Sequence, residues 1–224
     1  MIIVHHLENS RSQRVLWLLE ELGLQYEVKR YNRDNKTMLA PPELRAVHPL
    51  GKSPVISDGD RVIAESGAII EYLVRKYDSV HQFHPVSGTD DELDFSYWLH
   101  YAEGSLMPLL VMKLIFNHIQ RAPMPFFVKP VARGICGKTM QGFIQPNLDT
   151  HLGFVESRMK GRQWFVGDRF SAADVQMTFP LEAAAARDSL AAKYPSLQAF
   201  LQRVHERPAY RRALERGGPY ALMS

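Results

Sequence analysis

Gly51-Lys52-Ser53-Pro54-Val55-Ile56-Ser57-Asp58-Gly59-Asp60-Arg61-Val62-Ile63-Ala64-Glu65-Ser66-Gly67-Ala68-Ile69-Ile70 is the stretch on which the fold turns. Two short strand-forming runs, Val55-Ile56-Ser57 and Arg61-Val62-Ile63-Ala64, flank Asp58-Gly59, the clearest hairpin signal in the chain. Ile69, Ile70, Leu73 and Tyr77 then recur at helical spacing, so the hairpin runs directly into an amphipathic helix.

Upstream, Ile2 to Val4 is an apolar run suited to a buried strand, and Val15, Leu16, Leu18, Leu19 and Leu22 form a helical stripe that stops at Gly23. Tyr26 and Val28 alternate with Glu27 and Lys29, which predicts a second strand. Asn32 to His48 is polar and Pro-containing, irregular or helical. The order βαβ-α-ββα describes an α/β domain over residues 1–78. Asp78 to Thr89 is polar, contains Pro85 and Gly88, and reads as the interdomain linker. Beyond it no strand pattern appears. Asp90 to Gln120, Pro130 to Lys160, Ser171 to Asp188 and Ser196 to Arg207 are helical in character, separated at Arg121 to Pro130 by a segment with three prolines. Residues 90–224 are therefore expected to form an all-α domain.

The 27 Lys and Arg are scattered among 24 Asp and Glu, so no basic stripe speaks for nucleic-acid binding. Met1 to His5 runs into a strand pattern with no basic n-region or apolar signal core. Leu106 to Phe116, the most apolar later stretch, is broken by Pro108 and Lys113 and is shorter than the ~20 residues that cross a bilayer. The expectation is a soluble cytoplasmic protein with no membrane partner. The single cysteine, Cys136, allows no intrachain disulfide and no Cys-x-x-Cys motif, and reads as an inert, semi-buried thiol. No metal is expected.

Asn9-Ser10-Arg11-Ser12-Gln13-Arg14, Gly51-Lys52-Ser53-Pro54-Val55, Glu65-Ser66-Gly67-Ala68-Ile69 and Gly167-Asp168-Arg169-Phe170-Ser171-Ala172-Ala173-Asp174 stand in an order and spacing that resembles the cytosolic glutathione transferase family across essentially the whole chain. The pattern is similar to the serine-type members, of theta-like or bacterial and fungal class. The resemblance implies an N-terminal thioredoxin-like domain that binds glutathione as co-substrate and an all-helical C-terminal domain that helps accept a small hydrophobic electrophile. It also implies a homodimer with detoxification chemistry, and reduction of organic hydroperoxides as a further activity. A non-catalytic glutathione-binding or regulatory protein with the same fold is the alternative. A thiol-disulfide oxidoreductase would need a cysteine near residue 10, and none stands there.

Residue by residue, the resemblance implies a cis bond at Pro54 that turns the backbone of Val55 toward glutathione's cysteinyl unit. Glu65 and Ser66 stand at a helix start, where unpaired N–H groups and the dipole favour the γ-glutamyl carboxylate; Ser66 could equally cap its helix. Lys52 is the candidate for the glycine carboxylate, with Lys36 and His48 as helpers. Ser10 lies four residues before Arg14 and is the implied donor to the glutathione sulfur, with Ser12 as the second hydroxyl that could exchange roles with it. The spacing also approaches the zeta-class isomerase pattern, but Arg11 occupies the place of its cysteine, which argues against that isomerisation. Ser171 and Asp174 read as a capping box, with Phe170 and Val175 as its hydrophobic staple. Glu103, Met107 and Val111, at i, i+4 and i+8, are the candidate wall of the second-substrate pocket, or else a core stripe; Glu103 could instead reach glutathione held by a partner subunit.

Overall fold

The computed structural model describes residues 1–34, 36–37, 39–186, 190–218 and 220. Strands β1 (Ile2–Leu7), β2 (Tyr26–Tyr31), β3 (Val55–Asp58) and β4 (Arg61–Ala64) form one mixed sheet in the order β2-β1-β3-β4. β1 and β2 are parallel, which requires a crossover, and helix α1 (Ser12–Glu21) supplies it. β3 pairs antiparallel with both β1 and β4, the latter across a short turn at Gly59 and Asp60. Alternation along β1 sends Ile2 and Val4 into the main core with Val15, Leu16 and Leu19 of α1 and with Ile69, Ile70 and Leu73 of α3 (Ser66–Tyr77). Leu7 points the other way and closes a small cluster with Tyr31 and with Leu44 of α2 (Pro42–Val47), the helical part of the irregular segment. The N-terminal domain is thioredoxin-like, as expected.

The chain between α3 and α4 (Asp90–Tyr101) is organised by buried Asp78, whose carboxylate accepts the backbone N–H groups of Gln82, Phe83 and His84. Phe83 in turn accepts the N–H of Ala172 at 2.8 Å, tying this link to the helical domain.

The expected helix from Asp90 to Gln120 is two helices joined by a wide π turn, Ala102–Leu106, before α5 (Met107–Arg121). Met107 N–H reaches back five residues to the Ala102 carbonyl, and Pro108 follows with no N–H to offer the regular ladder. The same device recurs after α6 (Lys129–Thr139): a π turn, Met140–Ile144, precedes α7 (Gln145–Met159), with Pro146 at its second position. Cys136 is buried within α6. Helix α8 (Ala172–Ala185) is buried along nearly its whole length; the sequence-based end of this helix, Asp188, lies outside the described residues. α9 (Leu190–Lys193) and α10 (Pro195–His205) follow.

A last helix, α11 (Pro208–Gly217), was not anticipated, although Pro208 marks its start and Tyr210, Ala213, Leu214 and Gly217 fall on one stripe. It packs on α1, with Tyr210 edge-on to Trp17 at 5.2 Å. No described helix is long and apolar enough to cross a membrane.

The capping box ahead of α8 is present, and Phe170 and Val175 are both buried in the core. Asp174 is fully buried and accepts Ser171 N–H at 2.8 Å, Ser171 Oγ at 3.0 Å and Phe165 N–H at 2.9 Å. Burial pushes its carboxyl up to about 7 against the pull of these donors. Asp174→Ala strands two buried N–H groups and removes a cap, so urea unfolding should show a loss of about 2–4 kcal/mol.

Candidate active site

β1 delivers the chain to a turn in which Asn9 adopts φ +48°, and Ser10 follows with its side chain almost buried. Ser10 Oγ accepts the Ser12 N–H at 3.3 Å and lies 2.7 Å from Ser12 Oγ and 3.2 Å from Ser53 Oγ. Ser53 donates to the His5 carbonyl at 3.2 Å, so the first turn and the Ser53-Pro54 segment are stitched together. Ser10 borders a cavity of about 230 Å³ together with Arg11, Arg45, Lys52, Ser53 and Phe179. Ser12 is fully buried behind it as the first residue of α1, its Oγ 2.8 Å from His6 Nδ1. Neither serine is the N-cap of α1, which is Arg11 without a side-chain capping bond. The first two N–H groups of α1, those of Ser12 and Gln13, are met by Ser10 Oγ and by the Ser10 carbonyl, so Ser10 sits directly on the positive end of this helix.

An adjoining cavity of about 170 Å³ is lined by Arg11, His48, Lys52, Ser53, Pro54, Glu65, Ser66 and Glu103. The Ser53–Pro54 bond is cis, and Val55 opens β3 with His5 and Ala64 as register partners. Glu65 holds φ +70° as the N-cap of α3, so the capping position is not Ser66, which is buried as the first helical residue. The first regular bond of α3 runs from Ile69 N–H to the Glu65 carbonyl. The N–H groups of Ser66, Gly67 and Ala68 are therefore the helix's own unpaired donors. Lys52 is exposed on the rim, and His48 Nδ1 is buried with no hydrogen-bond partner among the described residues. Lys36 sits apart in an exposed turn, its N–H on Asp34 Oδ1.

Glu103, in the first π turn, faces both α1 arginines: its carboxylate lies 3.0 Å from Arg11 Nε and pairs with the Arg14 guanidinium. Arg14 is buried, which lowers its pKa, while Glu103 raises it. Its Nη1 donates to both the backbone carbonyl and Oε1 of Gln176 on α8, each at 2.8 Å. Both guanidinium groups lie over the Phe179 ring.

The expected face Glu103–Met107–Val111 does not stay together. The π turn shifts the helical phase after Glu103, so Met107 enters the core and Val111 packs half-buried against it. The apolar space beside the site is instead a cavity of about 420 Å³ whose lining includes Gly67, Ala68, Leu99, Glu103 and Gly104. Leu99 and Glu103 do stand at i, i+4, a signal that the sequence reading passed over, as it did Phe179 and Arg45. Among the described residues no group of His, Cys, Asp and Glu could hold a metal ion. Glu103→Ala leaves the buried Arg14 guanidinium with Gln176 as its one hydrogen-bond acceptor among the described residues. Because Glu103 is itself part-exposed, chemical denaturation should register about 2–3 kcal/mol, at or below the low end for broken buried pairs.

The profile of the glutathione S-transferase N-terminal domain matches residues 1–75, and that of the C-terminal domain matches residues 144–208. Glutathione S-transferase 3 of Schizosaccharomyces pombe is 37% identical over 222 residues, covering 96% of this chain and 88% of that protein. The crystal structure of a glutathione S-transferase from Actinobacillus pleuropneumoniae superposes with a TM-score of 0.78 at 34% identity, covering 100% of this chain and 96% of that one. The fold is shared also with the glutathione transferase URE2P8 of Phanerochaete chrysosporium, solved with oxidized glutathione (TM-score 0.77, 20% identity, 96% and 94% of the two chains). With its serine-lined turn, cis proline and paired helix N-termini on a thioredoxin-like sheet, and with these relatives along its whole length, the chain belongs to the glutathione S-transferase family.

Proposed function

We propose that this glutathione transferase holds glutathione as its thiolate at Ser10 and delivers the sulfur to small hydrophobic electrophiles, and that the same nucleophile reduces organic hydroperoxides. The observation that carries this reading is the convergence of Ser10 Oγ, the α1 N-terminus on which it sits, the cis Pro54 segment and the α3 N-terminus on two adjoining cavities. Glutathione carries two carboxylates and one thiol, and the site offers a positive partner for each when ionised. The γ-glutamyl carboxylate meets the unpaired N–H groups and hydroxyl of Ser66, with Glu65 toward the α-amino group. The cysteinyl backbone runs along Val55, and Lys52 takes the glycine carboxylate. The sulfur then lies at Ser10, where the helix N-terminus favours the anion; thiols in such places have pKa values of roughly 3.5–7.5 against about 8.5 when free.

Ser10 is the catalytic residue in this reading because it borders the cavity, whereas Ser12 lies behind it. The thiolate attacks an electrophilic carbon, forming a C–S bond as the leaving group departs with its electron pair, or a peroxide oxygen, forming an S–O bond as the O–O bond breaks and an alcohol leaves, after which a second glutathione converts the sulfenic acid to glutathione disulfide and water. Residues 1–78 supply glutathione binding, and residues 90–224 supply the apolar wall at Leu99 and Gly104 for the electrophile. The neighbour with oxidized glutathione supports the choice of ligand. The working form is a homodimer in the cytoplasm, and sedimentation at micromolar concentration tests the assembly.

Ser10→Ala removes a charge-assisted hydrogen bond of roughly 1.5–3 kcal/mol, so turnover with an aryl halide should fall about 10- to 150-fold while glutathione binding survives. Steady-state kinetics with no loss of turnover would remove Ser10 from the chemistry. Ser66→Ala should weaken glutathione by a similar factor in calorimetric titration, with turnover at saturation retained. Tight glutathione binding without turnover on aryl halides, alkenals or hydroperoxides would favour a non-catalytic binding protein.

A further inference from the structure

α5 and α6 pack on each other as a hairpin, and across its outer half, from Leu114 through Ile135, no residue is buried. The segment nevertheless presents Ile115, Ile119, Phe126, Phe127, Val131 and Ile135 to solvent. Phe126 and Phe127, 84% and 67% exposed, occupy the turn between the two helices. That turn is closed by the N–H groups of Val128 and Lys129 on the Pro125 carbonyl, at 3.0 and 3.3 Å, and the two rings meet edge to face at 5.6 Å. Pro123, Pro125 and Pro130 restrict the backbone around them. Single apolar side chains scattered over a surface are ordinary, whereas a contiguous apolar patch is the mark of an interaction site.

The charges of the hairpin are all of one sign. Over the whole chain basic and acidic residues are mixed, but between Glu103 and Asp149 there is no acidic residue at all. Arg121, Lys129, Arg133 and Lys138 are exposed there, and their side chains make no ion pair or hydrogen bond among the described residues. Val131 and Ile135 share one stripe of α6, and Lys129 and Arg133 share another. The apolar turn is thus flanked by cations on both helices.

Such a surface calls for a partner that is apolar inside and negatively charged outside. A second copy does not fit, because a two-fold contact through this tip sets the cations of one chain against those of the other. A bound peptide needs a groove or a sheet edge, and the two phenylalanines stand on a convex turn. A bilayer with anionic headgroups meets both demands. Apolar groups at such an interface sink roughly 5–10 Å, to the boundary of headgroups and acyl chains, while Lys and Arg stay level with the phosphates.

We propose that the α5–α6 tip docks this protein reversibly on an anionic phospholipid bilayer, with Phe126 and Phe127 inserted and Arg121, Lys129 and Arg133 at the headgroups. This replaces the expectation of no membrane partner, which followed from the shortness of the apolar run Leu106 to Phe116; docking at the interface needs no spanning helix. Glu103 and Gly104, which line the apolar cavity, lie in the turn just before α5. The 15 residues of α5 make a rod about 22 Å long, so the docked tip holds the site clear of the bilayer but close to its surface. Apolar electrophiles collect in bilayers, so docking suits the proposed transferase activity without depending on it.

Flotation of the whole protein with vesicles tests this. Vesicles of phosphatidylcholine mixed with phosphatidylserine should carry the protein upward at low salt, added salt should release it, and pure phosphatidylcholine should not bind it. Replacing both phenylalanines, Phe126→Ser with Phe127→Ser, should weaken binding about tenfold or more, and Arg121→Gln and Lys129→Gln about fivefold each. Turnover of a water-soluble aryl halide should be unchanged in all of them. Phe127→Trp adds an exposed reporter to three buried native tryptophans, and its emission should shift to the blue with phosphatidylserine vesicles alone. No flotation with phosphatidylserine at low salt, or flotation undiminished in the double phenylalanine variant, overturns the proposal. A lower sedimenting mass of that variant also overturns it, by giving the tip to a second copy. Binding to polyglutamate in place of vesicles overturns it in favour of an acidic protein.

Discussion

A buried guanidinium holds the two halves of this protein in register. Taking the Arg14 charge out of water costs several kcal/mol, and only well-placed acceptors offset that. Those acceptors come from the other domain: Gln176 on α8 offers two oxygens, and Glu103 in the first π turn offers its carboxylate. α1 is thereby fixed against both α8 and the wide turn. Since α1 begins at the serine-lined turn, the placement of the active hydroxyl is a consequence of the same contact.

That contact also explains why the π turn matters. A regular helix through residues 102–106 would carry Glu103 and Met107 on one stripe. The extra residue in the turn lets Glu103 face Arg11 and Arg14 while Met107 fills the core. Proline two residues beyond the end of each π turn, Pro108 and Pro146, indicates how the chain encodes them, since the ladder there lacks an N–H in any case.

Beneath the site, α11 gives the first turn its backing. Its stripe packs on α1, and Gly217 lies so close to that helix that a Cβ there would collide with the Gln13 side chain. On the other side the link between domains is pinned by Asp78 and by the Phe83 carbonyl at the start of α8. The groups around glutathione's proposed position are thus supported from both domains, which lowers the entropy cost of presenting them.

Local sequence determined the elements whose signals are local. The hairpin after Pro54, the α1 and α3 stripes and the capping box at Ser171 and Asp174 each need only neighbours along the chain, and each is found in the structure. The resemblance of four short segments to glutathione transferases identified the family for the same reason: turn and cap geometry leaves short-range marks in sequence. What tertiary structure alone decided was which side chains meet. Ser10 and Ser12 are alike in sequence, and only burial behind the first turn separates them. Glu103 and Met107 share a helical stripe on paper, and only the π turn and the Arg14 charge send them to different places. His6 reads as one more strand residue until α1 brings Ser12 Oγ to its ring, a contact that exists only once the helix has packed on the sheet.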